Sequence, residues 1–365
     1  MAKIFWISDM DFAGSGYGNI TRAICDELVK LGHEIKVAGL FYEGNEHEHG
    51  FSIFPAKTVT ETMAMAQNMY NEWPFDAMVV ALDIPLQEHY LKLESKPFKY
   101  IGIFPVEADP LIFEFAAVLM QMDKQFVISD FGTNECLKQG ITTAEHIVIG
   151  LDTDAWRMPS DEEKAKIKES FGLDGFCVLT NADNQERKNL SHCMDAFAMF
   201  AEGKDDVKYV MITREDNPIG WKLRDYAQEL GISDKFVMFN RGLDFRTLWS
   251  VYSACDVLLL LSKAEGLGMP LLEGMAVGLP CIATDCTGMK ELLSDGRGYL
   301  VTPEYIHRDP FLNGRRYWAN REQAAGYMEE IYKERPNKLL LKARAYIEAR
   351  DWADSAAQID EFLNE

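Results

Sequence analysis

Short apolar runs alternate with amphipathic stretches from one end of this chain to the other, and the series starts afresh near its middle. Ile4–Ser8 has the composition of a buried strand, Asn19–Leu31 the spacing of a helix closed by Gly32, and Glu34–Ala38 that of a second strand. Ala77–Leu82, Tyr100–Phe104, Phe126–Ser129 and Ile147–Ile149 continue the strand series. Beyond Gly150 the order restarts with a strand at Cys177–Asn181, a helix at Leu190–Ala201 and a strand at Tyr209–Thr213. A helix at Trp221–Leu230, a strand at Phe236–Phe239, a helix at Phe245–Ala254 and a strand at Val257–Leu261 follow. Strands alternating with helices predict parallel sheets covered by helices, because parallel neighbours need a crossover connection. Two such series predict two doubly wound domains, joined near Gly150–Ser160, where Gly150, Asp152, Asp154 and Pro159 interrupt the periodicity.

The 365 residues suffice for two separate cores. Thirty-seven basic residues against 58 acidic ones leave a net charge of −21, which opposes wrapping nucleic acid or resting on an anionic membrane and favours solubility. The seven cysteines lack C-x-x-C spacing, so Cys25, Cys177, Cys255 and Cys281 read as small core residues of a protein in a reduced compartment. Met1–Ser8 enters a strand directly, and no apolar run approaches the ~20 residues needed to span a bilayer. A soluble, cytoplasmic protein is the expectation.

The segment richest in chemistry follows the run Val257–Leu261. Glu265 and Glu273 bracket Gly266-Leu267-Gly268-Met269-Pro270-Leu271-Leu272. Pro270 is placed to open a helix, where its missing donor costs nothing. Strand, glycine-containing loop and helix start bring backbone N–H groups and a positive dipole end to one point, which suits phosphate. One carboxylate then lies at the loop mouth and the other in the first helical turn. A diphosphate repels carboxylates, so these two are better suited to accept hydrogen bonds from sugar hydroxyls beside it. A diphosphate flanked by two polyols is a nucleotide sugar. Glu273 could instead serve only to favour a helix N-terminus, but that leaves Glu265 and the glycines unexplained.

Gly14, Gly16 and Gly18 follow the first strand, but with G-x-G-x-G spacing rather than the dinucleotide fingerprint. Val37-Ala38-Gly39 stands where a ribose-binding acid would close the second strand, so a nicotinamide cofactor is not expected. Asp9-Met10-Asp11 and Asp152-Thr153-Asp154 read as D-x-D, a metal-binding pattern that arises readily by chance in an acidic chain. Pro303–Trp318 breaks the alternation with Tyr305, His307, Arg308, Arg315, Arg316, Tyr317 and Trp318. It reads as a solvated loop or as a surface for an acceptor.

The block Glu265–Pro280, with Thr284–Glu291 and Gly298–Val301, resembles the signature of glycosyltransferase family 4. Gly14–Gly18, Leu31–Val37, Ile149–Thr153 and Leu248–Leu261 resemble other segments of that family, so the likeness runs over most of the chain. The resemblance implies an α/β protein of GT-B architecture: two Rossmann-like doubly wound domains facing a central cleft. It implies an acceptor-side domain at 1–152, a nucleotide-sugar-binding domain at 153–345, and a C-terminal helix at 346–365 returning to the first domain. It further implies transfer of a hexosyl group from a nucleoside-diphosphate sugar with retention of configuration.

By the same resemblance, Glu265 would contact the transferred sugar beside its reacting carbon and Glu273 the ribose. Backbone N–H groups around Leu267, Gly268 and Met269 would receive the β-phosphate, whose charge grows as the sugar leaves. Lys188 matches the family's lysine. Asp183 stands where an arginine is usual, and the adjacent Arg187 is placed to supply the missing charge. Gly16 and Gly18 would approach the donor closely. Glu107 stands where many relatives carry a histidine, and would orient or deprotonate the acceptor hydroxyl. Asp9, Asp11, Arg308, Arg315 and Arg316 are the acceptor-side candidates. Enzymes of this fold generally use basic side chains and a helix dipole in place of a metal. No metal and no cofactor beyond the donor is therefore expected, with a UDP-sugar ranked ahead of a GDP-sugar. The acceptor would be a hydroxyl on a small molecule, a glycan or a lipid-linked sugar. The alternatives are a hydroxymethylated DNA base, nucleic acid entering only as acceptor substrate, or nucleotide-sugar binding without turnover.

Overall fold

Each half of the chain builds a parallel sheet with its first strand in the middle. The computed structural model describes residues 1–11, 15–93, 97–310 and 313–365. They divide into one unit of Met1–Gly150 with Arg350–Glu365 and a second of Leu151–Ala349.

In the first unit the strands are β1 (Lys3–Asp9), β2 (Glu34–Leu40), β3 (Ser52–Ala56), β4 (Ala77–Ala81), β5 (Lys99–Phe104), β6 (Lys124–Val127) and β7 (Ala144–His146), in the spatial order β3-β2-β1-β4-β5-β6-β7. Trp6 on β1 lies opposite Val37 on β2 and Val79 on β4, all without solvent exposure. Such strands carry unbroken apolar runs because helices cover both faces of the sheet. The one polar atom of the Trp6 side chain is satisfied, its indole N–H donating to Thr21 Oγ1 at 3.0 Å. Two strand expectations need correction. The last strand is Ala144–His146 rather than Ile147–Ile149, its ladder ending as Ile147 N donates to Val127 O. β3 was not expected at all: it is a half-exposed edge strand with Pro55 in it, a residue that only an edge tolerates.

The helix Trp352–Asn364 packs within this unit. Asp360 meets the His33 ring at 3.0 Å, and Lys99 Nζ donates to Phe362 O at 2.8 Å.

In the second unit β8 (Phe176–Asn181), β9 (Val207–Thr213), β10 (Phe236–Asn240), β11 (Val257–Leu260), β12 (Cys281–Thr284) and β13 (Tyr299–Val301) take the order β10-β9-β8-β11-β12-β13. Pro303–Trp318 is no plain loop: its described residues form an antiparallel pair, β14 (Pro303–Arg308) with β15 (Arg315–Ala319). The pairing is stabilised by cross-strand rings, Tyr305 stacking on Trp318 at 5.2 Å.

Both sheets are filled first on one side and then on the other side of the starting strand. The direction therefore reverses between β1 and β4 and again between β8 and β11. Loops leaving the carboxyl ends of such a strand pair diverge to opposite faces, and the crevice between them is where open α/β sheets bind ligands.

Among the described residues, no helix is long and apolar enough to cross a membrane. All seven cysteines are free and buried.

Candidate active site

The β8–β11 reversal in the second unit collects the residues that the sequence singled out. β8 runs into the short turn Glu186–Lys188, and β11 runs into the loop that carries Glu265. Only 5% of Glu265 is exposed. Arg187 Nη1 donates to Glu265 Oε2 at 2.9 Å, and Lys188 Nζ donates to both carboxylate oxygens at 2.7 and 2.8 Å. Ser262 Oγ adds a fourth donation at 2.6 Å. Burial alone would raise this carboxyl, but the charges of Lys188 and Arg187 overcome it and hold it down at about 2. The two strand ends also interlock through the backbone: Lys263 N donates to Arg187 O at 2.8 Å, and Arg187 Nη1 to Ala264 O at 2.6 Å.

A second segment braces the same loop. Glu265 N donates to Thr287 Oγ1 at 2.9 Å and Gly288 N donates to Glu265 O at 3.2 Å. A Cβ at position 288 would lie 2.4 Å from Gly266 O, so the loop requires glycine there. The helix Met269–Ala276 begins at Gly268, whose φ of +103° only glycine adopts without strain, and Pro270 is its second residue. Pro270 has no N–H and Leu271 N donates to Gly268 O at 2.8 Å, so the amides that precede the helical ladder are those of Met269 and the residues just before it, at the end where an anion is favoured.

Glu273 is the fifth residue of that helix, just past the first turn in which the sequence placed it, because the helix starts one residue earlier, at Met269. It too is buried, and Tyr252 Oη donates to its Oε2 at 2.5 Å while Asn181 Nδ2 donates to Tyr252 Oη at 2.8 Å. Burial pushes its carboxyl up to about 7, against the hydrogen bonds from Tyr252 and Asn181.

Asp183, where the resembled family has arginine, gathers arginines instead. Arg214 Nε donates to its Oδ1 at 2.7 Å, a second Arg214 nitrogen reaches its Oδ2, and Arg241 lies 3.7 Å away. Burial works against ionisation there, yet these cations hold the carboxyl below its usual range. Arg214 and Arg241 follow β9 and β10, so the carboxyl edge of this sheet carries four basic side chains around two buried acids.

The first unit differs. Tyr17 Oη donates to Asp83 Oδ1 at 2.5 Å. Burial first, then the charges of Asp83, Glu107 and Asp9, push the phenol well above its ordinary value. Asp9, Asp83 and Glu107 follow or end β1, β4 and β5, so the structure brings Asp9 and Glu107 to one edge and adds Asp83, which the sequence reading missed. Gly16 opens the helix Gly16–Lys30, and Gly18 N donates to the capping Ser15 Oγ at 3.4 Å. Gly14 lies outside the described residues. Both D-x-D matches are local turns: Asp11 N donates to Asp9 Oδ1 at 2.9 Å, and Asp154 N to Asp152 Oδ1 at 3.0 Å. Among the described residues no three of His, Cys, Asp and Glu are grouped to hold a metal ion.

The three arginines of the hairpin do not form one patch. Arg308 and Arg315 are exposed, whereas Arg316 is 3% exposed and donates to Asp309 Oδ2 at 3.2 Å.

Residues 161–310 match the family model described as glycosyl transferases group 1. This segment is similar to the group 1 glycosyltransferases. Both glutamates, Arg187, Lys188 and the loop between them fall inside it. Putative glycosyltransferase EpsD of Bacillus subtilis is 30% identical over 156 residues, 42% of this chain and 40% of the relative. Mannosylfructose-phosphate synthase of Agrobacterium fabrum is 26% identical over 166 residues, 44% of this chain and 36% of the relative. The chain thus spans about two fifths of the length of the curated relatives it matches. Over whole chains, the structure of Anabaena Alr3699/HepE with UDP and glucose superposes with a TM-score of 0.76 at 16% identity, covering 100% of both. At that identity the likeness establishes architecture: the two units have the Rossmann-like parallel sheets of GT-B structures.

Proposed function

We propose that the chain is a family 4 glycosyltransferase that moves a sugar from a nucleoside-diphosphate sugar to a hydroxyl acceptor with retention of configuration. The observation that carries the proposal is the convergence of Arg187 and Lys188 on Glu265 beside the helix start at Gly268, at the β8–β11 reversal. That arrangement offers cations and backbone donors for a pyrophosphate, with an ionised carboxylate next to them for sugar hydroxyls. Phosphate oxygens would share Arg187 and Lys188, leaving lone pairs of Glu265 for the transferred sugar. Glu273 would accept from the ribose hydroxyls when ionised.

In the reaction the bond between the anomeric carbon and the β-phosphate oxygen breaks, and the acceptor oxygen bonds to that carbon. The pyrophosphate keeps the electron pair. Arg187, Lys188 and the N–H groups of Leu267, Gly268 and Met269 would take up the charge it gains. We assign Glu107 to orient or deprotonate the acceptor hydroxyl, and Asp9 and Asp11 to the acceptor side. The carboxylates of Asp9, Asp83 and Glu107 around Tyr17 favour a neutral polyol over a polyanion such as DNA. A UDP-sugar remains the preferred donor, no further cofactor is invoked, and the seven reduced cysteines favour a cytoplasmic setting.

Thermal stabilisation and slow hydrolysis across UDP-, GDP- and ADP-sugars test the reading. Stabilisation by one nucleotide series with release of its sugar is the expected result. No stabilisation by any of them would refute the proposal, and binding without release would favour a non-catalytic sensor.

A further inference from the structure

A lysine with almost no access to water sits two residues from Glu265. Lys263 is 2% exposed, and its ammonium needs compensation that solvent cannot give. It has two sources. One is the carboxylate of Glu186, in direct hydrogen-bond contact. The other is the face of Trp318, with Nζ 3.7 Å from the ring centroid. Trp318 belongs to β15, and its neighbour Tyr317 donates its N–H to Lys263 O at 2.9 Å.

Glu186 is the first residue of the turn whose next two members are Arg187 and Lys188. That turn is therefore gripped on both sides. Lys263 holds Glu186 by charge and Arg187 by its backbone N–H, while Glu265 holds the Arg187 and Lys188 side chains. The hairpin ring is what keeps the Lys263 ammonium in place. Trp318 is itself fixed by Tyr305 stacked on it at 5.2 Å, by the His192 ring edge-on at 5.0 Å, and by its indole N–H donating to His307 Nδ1 at 2.8 Å.

We propose that Trp318 is a positioning residue for the phosphate-binding turn: through Lys263 and Glu186, the β14–β15 hairpin sets where Arg187 and Lys188 stand. This rests on the donor reading above and adds a dependence which that reading does not require. The hairpin then acts on pyrophosphate affinity without touching the donor.

Calorimetric titration of the full chain with UDP, GDP and ADP tests it. Wild type should bind one of them. Trp318→Leu keeps an apolar group but no π face and should bind about tenfold more weakly, equivalent to about 1.4 kcal/mol. Trp318→Phe restores a ring and should recover most of that loss. Lys263→Met should match the leucine variant, because Glu186 loses its cation, and it carries the test if Trp318→Leu fails to fold. Tyr305→Leu removes one of the three groups that fix Trp318 and should cost only part of that loss, since His192 and His307 still hold the ring. Wild-type affinity in Trp318→Leu or in Lys263→Met, with wild type binding nucleotide, overturns the positioning role alone. A wild type that binds none of the three nucleotides overturns the donor reading and this role together.

Discussion

Glu265 and Glu273 belong to one loop-and-helix motif and are both almost wholly buried, yet cations surround the first and neutral hydrogen-bond donors the second. Glu265 receives two cations from the β8 turn and is held at about 2, ionised at any working pH. Glu273 receives the phenol of Tyr252 and is pushed to about 7, so that near neutrality it is divided between two protonation states. The motif supplies two identical side chains, and other parts of the fold decide what each can do. Environments that push two acids apart in this way mark a division of labour. One acid is a permanent charge held by cations. The other titrates.

The largest effect expected to expose that contrast is at Glu265. Glu265→Ala should lower turnover by about 10²–10³-fold, the scale for removing one aimed electrostatic contact. Glu265→Gln should lose nearly as much, since it keeps shape but releases Arg187 and Lys188. Turnover within a few-fold of wild type in either variant would remove Glu265 from the chemistry. Next in size is the opposite response at Glu273. Its folded value lies above the 4.5 of an ordinary glutamate, so its contribution is full below pH 4.5 and is lost as pH rises through about 7. The lost amount is about 3 kcal/mol. Glu273→Gln should therefore melt higher than wild type at pH 8 and nearly match it at pH 4.5. The same variant should bind nucleotide more weakly, by about 1.5–3 kcal/mol if the ribose contact is real. Equal melting of the two proteins at pH 8 would refute the uncompensated burial of Glu273. Glu265 contributes with the reverse sign, its stabilisation being lost only as pH falls from 4.5 through about 2.

How much of this the sequence disclosed follows the range of the interactions involved. β11 was legible because a strand covered on both faces is apolar throughout, and the loop after it because glycine and proline act locally. The partners of Glu265 were not, since Arg187 and Lys188 are 78 and 77 residues away in the chain and meet it only through the strand reversal. Tyr252 looks like any core residue of an amphipathic helix, and no spacing marks it as a donor to Glu273. Asp183 looked like a gap in the phosphate contacts because the arginines it binds follow two other strands. The hairpin was masked by its charges, which hide the alternation that pairs Tyr305 with Trp318. Thr287 carried a readable signal, standing inside the Thr284–Glu291 block, but its donor is a backbone N–H that no motif shows.

The smallest effect is the sharpest test of why the two glutamates differ. Tyr252 Oη is a donor to Glu273 in a site where burial raises the carboxyl, and its hydrogen bond is a force in the other direction. Tyr252→Phe removes that bond and the one that Asn181 Nδ2 donates to the same hydroxyl. The carboxyl should then titrate higher than about 7, because the ionised form loses a donor and the neutral form loses little. If the ionised carboxylate accepts from ribose, the midpoint of nucleotide affinity against pH moves up with it. At pH 7 the variant should bind less tightly by about 1 kcal/mol, and at pH 9 the deficit should shrink. A deficit that stays constant with pH would mean that Tyr252 acts by packing alone. The contrast between the two acids would then come from the cations at Glu265, with nothing tuned at Glu273.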